Sequence, residues 1–528
     1  MTRIAATRTE CPAVLALLAA ALLCISAATA AEGERLIAPA EFGESKTTLW
    51  SPTLEWTLKN PSHEGNPFDL VAKVAFTHES GDAKHVTEMF HAGEDTWKFR
   101  FTGTRTGKWT FTTQANGRNG TTRDPELHGR KGTVTVRPNP DPDAYGFVTN
   151  VGNKWARHQG NEGKIVTFVP HFRMSFAKKG LDPGSTQIDS ALDMAMRDEG
   201  FNGVFRFMAG WWVDAGAKGA RFADRDPDPR AFETLEELIL KTHARGGVVH
   251  IWYCGDLGRK QAPQSAFGDN GAETKGERRL LRHIAARLGP LPGWIMGYGY
   301  DNPEHVTTGE LRSWGKYLRD HMGWKHYLGA RDQGGNINYT SWPEADFYSR
   351  GHWFRGAPCE DMVKAVRSDR EKPHSFDERW WIKRLESEEN LRRQLWLCNM
   401  AGGVSSIIGN QGSRSADPFS NPHGFKTFSR FWEGRFLGGM THDNGISDGY
   451  GLRTEDRATY IFYKQDTSSV QMDLSGMPGP QPAVAVDTKK KYREIDIGPL
   501  KAGKQTWKAP YKSDWAIAVG KSFEPAKP

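Results

Sequence analysis

Between residues 147 and 440 the chain repeats one pattern eight times: a short apolar run of strand type, followed by a stretch that can turn as a helix. "KIVTFVPHF" is the first run, followed by the amphipathic "IDSALDMAMRDEG". "FNGVFRF" is the second, and its helix "PRAFETLEELILKTHARGG" stops on glycine. "VVHIWYC" precedes "GERRLLRHIAARLG", and "GWIMGYGYD" precedes "TGELRSWGKYLRDHMG". "KHYLGARD", the shorter "ADFYSRGHW", "KPHSFDE" with its helix "LRRQLWLCNMAGG", and "VSSIIGNQ" complete the series. Strands separated by crossover helices pair in parallel, and eight units over roughly 290 residues have the size of a (β/α)8 TIM barrel. A doubly wound open sheet is the alternative. No GxGxxG follows the first run, so no dinucleotide site is predicted.

The flanks keep a different rhythm. Residues 33–140 hold short alternating runs such as "TLEWTLK", "DLVAKVAFTH", "TWKFRFT", "KWTFTTQA" and "GTVTVRP", separated by turn clusters. This predicts an N-terminal β-sandwich, joined by the proline-rich "RPNPDPDAYG" to the barrel at 147–440. Residues 445–528 return to short strands ("RATYIFYKQ", "SVQMDLS", "PAVAVDT", "DWAIAVG") and predict a C-terminal β-sandwich. Residues 1–30 carry Arg3 and Arg8, then "AVLALLAAALLCISA" and "ATA", the layout of a signal peptide cut near Ala30. Export to the periplasm or the exterior is expected. No other stretch has the length of a membrane span.

The net charge of +7 falls to +6 when Arg3, Arg8 and Glu10 leave with the leader. Basic and acidic residues are interleaved, which excludes a nucleic-acid stripe and favours acidic substrates only weakly. Cys254, Cys359 and Cys398 remain in the mature chain without a CxxC, leaving one disulfide or three buried thiols open.

In a barrel of this kind chemistry sits at the C-terminal ends of the strands. Those positions supply His171, Arg206, His250, Trp252, Tyr300, Asp301, Glu304, Arg331, Asp332, His352, Asp377, Glu378 and Arg379. The acids gather after the fourth and seventh strands. Two opposed carboxylates are what glycosidic cleavage requires, one to protonate the leaving oxygen and one to attack or to activate water. Each acid also has a structural reading. Asp301 could cap a turn, Glu304 could favour the start of the next helix, and one of Asp377 and Glu378 could pair with Arg379 or Arg384. His171, His250 and His352 could share a metal, but no HExxH or close ligand pair is present, so no metal or other cofactor is predicted.

"NPFD", "FHAGEDTWKFRFTGTRTGKWTFTT", "FNGVFRF", "MGYGYDNPEH", "KPHSFDERW", "NMAGGVSSIIG", "AVDTKKKYREIDIG" and "SDWAIAVG" together resemble secreted bacterial candidate glycoside hydrolases of the apiosidase-like, clan-A-related barrel type. Their barrels lie between an N-terminal β-sandwich of unknown function and a C-terminal, collagen-binding-like β-sandwich. The resemblance implies an acid/base after strand four, carried here by Asp301 (or Glu304), and a second carboxylate after strand seven, Asp377 or Glu378. It implies that His171, Arg206, His250, Trp252, Tyr300, Arg331, Asp332, His352 and Arg379 contact a poly- or oligosaccharide. The usual Asn–Glu pair after strand four is interrupted here by Pro303, and "FDER" stands where Glu is common after strand seven. A non-catalytic carbohydrate-binding barrel and a polysaccharide lyase are the other readings.

Overall fold

The structure, a computed structural model, describes residues 36–38 and 42–520 apart from 53, 117–122, 175–185, 214–225, 256–273, 300–301, 303–304, 333–341, 343, 351–357, 381–386 and 411–415. At its centre eight parallel strands close into a barrel: His171–Arg173, Gly203–Phe207, Val248–Trp252, Trp294–Gly297, Leu328–Asp332, Phe347–Arg350, His374–Trp380 and Ser405–Ile408. Six lie within their expected runs, and the first and seventh overrun theirs, to Arg173 and Trp380. The first run divides, however. Lys164–Thr167 pairs elsewhere, and only His171–Arg173, beyond Pro170, enters the barrel. Proline has no N–H to give a ladder, which makes it a natural break.

The period of two sorts the wall. On the third strand Val249 and Ile251 join the core under the helices, while Val248 and Trp252 join the barrel interior. The helices obey their local signals. Asp228 caps Pro229–Ala244 and Thr274 caps Lys275–Leu288. Thr307 and Glu310 form a capping box on Thr308–Met322, which ends at left-handed Gly323. The first helix departs from expectation: after Gln187–Leu192 it widens into a π-helical turn over Asp193–Asp198.

A three-stranded antiparallel sheet, Tyr145–Val151, Lys154–Gln159 and Lys164–Thr167, closes the N-terminal end of the barrel. Its Val148 and Trp155, with Phe168, extend the interior core downward. The Trp155 indole donates to the carbonyl of His374, the first residue of the seventh strand, at 2.9 Å. Its rings stand 5.1 Å from Phe347 and 5.8 Å from Tyr327.

The N-terminal region stacks a five-stranded sheet (Glu44–Thr48, Lys131–Arg137, Gly107–Ala115, Ala72–His78, Lys84–Glu88) on a four-stranded one (Leu36–Ala38, Leu54–Lys59, Thr96–Phe101, Phe90–His91). Trp56 of one sheet lies 4.9 Å from Phe111 of the other, at the centre of a shared aromatic core. A buried ion network ties this sandwich to the barrel helices. Arg100 donates to Glu55 at 2.6 Å on its own side and to Glu236 at 2.6 Å on Pro229–Ala244, and Arg287 meets the same Glu236.

The C-terminal region is one continuous six-stranded antiparallel sheet. "RATYIFYKQ" and "SVQMDLS" are not two strands but one, Tyr460–Asp473, bulged near Thr467 and paired with the equally long Lys504–Val519. Both halves of the bulged strand feed one core, Tyr460 and Phe462 with Val470 and Met472, so the sheet closes over itself. Its other face packs on the barrel helices through Ile461, Tyr463 and Ala516. There Arg392 and Arg393 clasp buried Asp514. Burial alone would raise that carboxyl, but the two guanidiniums hold it well below the usual range.

Among the described residues no helix is long and apolar enough to cross a membrane. Cys254 and Cys398 are buried.

Candidate active site at the barrel mouth

The interior of the barrel is lined from below by Phe172, Phe205, Ile295, Phe347 and Ile407. His250 and Trp252 stand above that floor. His250 is fully buried and edge-on to Phe172 at 5.0 Å and Phe205 at 6.0 Å; Trp252 meets Phe205 at 4.7 Å and Phe207 at 6.2 Å. Room for these rings comes from glycine on the facing strands. A Cβ at Gly297 would lie 3.1 Å from the Trp252 ring and 3.3 Å from His250 Nε2, and one at Gly329 would lie 2.5 Å from the Phe347 ring.

Arg331, buried, shares the inward parity of Gly329 and is in register with Ser349 on the sixth strand. The hydroxyl of Ser349 is buried and has no hydrogen-bond partner among the described residues. On the far side Ser405 donates to Ser375 at 2.7 Å. The interior thus sets serine hydroxyls among its aromatic rings, Ser375 and Ser405 near the base and Ser349 beside Arg331 higher up.

The end of strand four is held against strand three. Cys254 N–H donates to the carbonyl of Tyr298 at 2.7 Å. Gly299 follows with φ +151°, and a Cβ there would fall 2.0 Å from the Cys254 carbonyl oxygen, so only glycine fits. Asn302 is fully buried, its carbonyl accepts from the N–H groups of His305 and Val306, and its amide has no hydrogen-bond partner among the described residues. Tyr300, Asp301, Glu304 and His352 lie outside the described residues. The cap of the next helix is Thr307.

On strand seven the register with strand eight slips between Phe376 and Arg379. Asp377 and Glu378 fall in that slip, a β-bulge, a feature over-represented beside active sites. The side chains of Asp332, Asp377, Glu378 and Arg379 lie outside the described residues.

Two expected site residues stand apart from the interior. The His171 ring turns outward to the helix His423–Trp432. There it bonds Ser429 Oγ at 2.7 Å and the carbonyls of Val169 and Gly200, and burial lowers its pKa to about 4. In a three-residue strand one step of parity decides this: Phe172 takes the inward position. His171 and His250 therefore leave the wall on opposite sides and do not share a metal. Arg206 has the parity of outward Val204; it is half-buried, with its guanidinium carbon 5.9 Å from the ring centroid of Trp211. Among the described residues the cluster of acids close enough for a cation is Glu389, Asp466 and Asp514, and Arg393 and Lys489 already occupy it.

Behind the ends of strands three and four lies a buried acid that the sequence hides. Glu277 accepts from the Tyr253 hydroxyl at 2.9 Å, beside Cys254 and Tyr298. Burial pushes its carboxyl up to about 8, against the lowering effect of the tyrosine. In "GERRLLRHIAARLG" this residue reads as an acid in a first helical turn, so no local signal could have marked it.

Known proteins share this architecture. Residues 47–116 match the family model "Domain of unknown function (DUF5060)". No curated protein matches the chain. A candidate glycoside hydrolase from Bacteroides vulgatus superposes with a TM-score of 0.63 at 15% identity, over 90% of this chain and 100% of its own. A family 5 glycoside hydrolase from the same organism gives 0.55 at 13%, over 72% of this chain and 94% of its own. A further structure described as a glycoside hydrolase gives 0.52 at 13%, over 72% and 98%. What is shared is the fold. At these identities the likeness covers the barrel and its β-rich flanks, not the chemistry.

Proposed function

We propose that this chain is an exported glycoside hydrolase acting on a poly- or oligosaccharide. Asp301 is its general acid/base, or Glu304 in its place, and Asp377 or Glu378 is the second carboxylate. The observation that carries the reading is the backbone beside these acids on strands four and seven. The "FDER" acids sit in a bulge on strand seven. The "YGYDNPEH" acids follow a strand end pinned by Gly299, with buried Asn302 between them. The fold shared with glycoside hydrolases supports it, as does an interior that sets polar side chains among aromatic rings, suited to a sugar ring with its apolar faces and hydroxyl edge.

In this reading one carboxyl protonates the leaving oxygen while the other attacks the anomeric carbon or activates water. His250, Trp252, Tyr300, Arg331, Asp332, His352 and Arg379 shape the sugar site, and residues 33–140 and 445–528 are flanking domains. An apiosidase-like specificity and a collagen-binding-like role for the last domain belong to the same proposal. Asp301→Asn keeps shape and removes the proton donor. It is expected to cut release of reducing sugar at least a hundredfold while leaving the melting temperature unchanged. Full activity in that variant sinks the assignment.

A further inference from the structure

The turn after strand two presents a tryptophan to solvent. After Phe207 the chain makes a 3-10 turn, Ala209–Trp212. The turn is anchored on both sides. Met208 N–H donates to the carbonyl of Trp252 at 3.0 Å, Trp211 N–H donates back to Met208 at 2.8 Å, and the Trp212 indole donates to the carbonyl of Tyr253 at 2.8 Å. Trp212 fills the core against Phe232. Its neighbour Trp211 is thereby held outward, 56% exposed, the one exposed tryptophan among the described residues.

Under its ring lies Arg206, half-buried. Several buried arginines elsewhere are matched to acids: Arg100 to Glu55 and Glu236, Arg173 to Glu199, Arg392 to Asp514. Among the described residues Arg206 has no carboxylate or other hydrogen-bond acceptor, and none of them supplies an anion to offset its loss of water. A guanidinium in that condition is a receptor for an oxyanion, two of whose oxygens it can bind through parallel hydrogen bonds.

We propose that Trp211 and Arg206 form a rim subsite for an anionic sugar unit of the substrate, the indole stacking on the ring and the guanidinium taking its carboxylate or sulfate. The inference rests on the glycosidase reading only in taking the ligand to be a saccharide. It adds that the saccharide is acidic and that it is gripped outside the lumen, away from the bond that breaks.

Affinity electrophoresis of the full chain tests this with four polymers: polygalacturonate and its carboxyl-reduced form, and carrageenan and its desulfated form. Retardation by at least one acidic polymer is expected, about tenfold weaker for its neutral counterpart. Arg206→Gln should erase the acid preference, Arg206→Lys should retain part of it, and Trp211→Ala should weaken both members of the pair. Removing one charge from a net +7 changes non-specific attraction little, so a tenfold loss reports a local contact. The carboxylate and sulfate pairs tell the two anions apart.

Equal retardation by acidic and neutral forms, indifference to all three substitutions, or no retardation by any polymer overturns the subsite. Reducing-sugar release is measured in parallel. Acid-selective binding without release leaves the subsite standing and removes the hydrolase reading. Release with binding indifferent to Arg206 and Trp211 does the reverse.

Discussion

Glu277→Gln should stabilise this protein, and the gain should depend on pH. Glu277 is buried, accepts one hydrogen bond from Tyr253, and has a second carboxyl oxygen with no partner among the described residues. Its carboxyl titrates near 8 in the fold against 4.5 in a free chain. Between those values the folded chain keeps a proton that the unfolded chain has released. Raising the pH through that window therefore draws the equilibrium toward unfolding, by about 1.4 kcal/mol per pH unit. Across the roughly 3.5 pH units the loss is at most ~5 kcal/mol, complete above pH 8 and absent below 4.5. Glutamine keeps an acceptor for Tyr253 and replaces an unpartnered acid O–H by an unpartnered N–H, a nearly neutral exchange. The variant and the parent should thus melt together at pH 4.5, diverge as pH rises, and differ most at pH 8 to 9, with glutamine the more stable. Thermal unfolding followed by circular dichroism at pH 4.5, 6, 7.5 and 9 reads this directly. A pH-independent offset, or a variant that loses ground as pH rises, refutes the account of Glu277 as an acid held protonated by burial.

Two other predictions concern stability. Arg100→Met leaves Glu55 and Glu236 buried with one cation fewer between sandwich and barrel, and should cost about 3–5 kcal/mol in urea unfolding; a loss under 1 kcal/mol would mean the network is dispensable. Gly299→Ala drives a methyl group into the Cys254 carbonyl and forces an unfavourable φ, so it should lower stability by about 2 kcal/mol or more. Gly439→Ala, where a Cβ meets nothing, serves as its control, and equal melting of the two variants counts against the tight junction of strands three and four.

The barrel was legible because each strand is a compact apolar run set off by turn residues, and because helices stopping on glycine recur between them. The closing sheet was not. Its strand Lys154–Gln159 reads "KWARHQ", yet Lys154 is buried and donates to the Gly402 carbonyl at 2.7 Å, while Arg157 lies over the Tyr145 ring at 3.2 Å. Cations satisfied by backbone and rings look like a loop in one dimension. The long C-terminal strand was divided for the same kind of reason, since "QDTS" has turn composition but is absorbed as a bulge. At the site, alternation placed His250 and Trp252 on one face once the strand was known. Nothing in three residues could tell that Phe172, not His171, faces inward. The buried amide of Asn302 and the acid at Glu277 depend on what surrounds them in space, which no spacing records.

The sheet beneath the barrel carries a last consequence. With Trp155 bonded to His374 and Val148 and Phe168 packed under the interior aromatics, the barrel is a cup with one opening. Nothing can thread through it. On the proposed function, a polymer lies across the rim or dips one end into the bowl, and a product leaves by the way its substrate came. The rim therefore governs traffic in both directions, and anything that grips a chain there sets how long the bowl stays occupied.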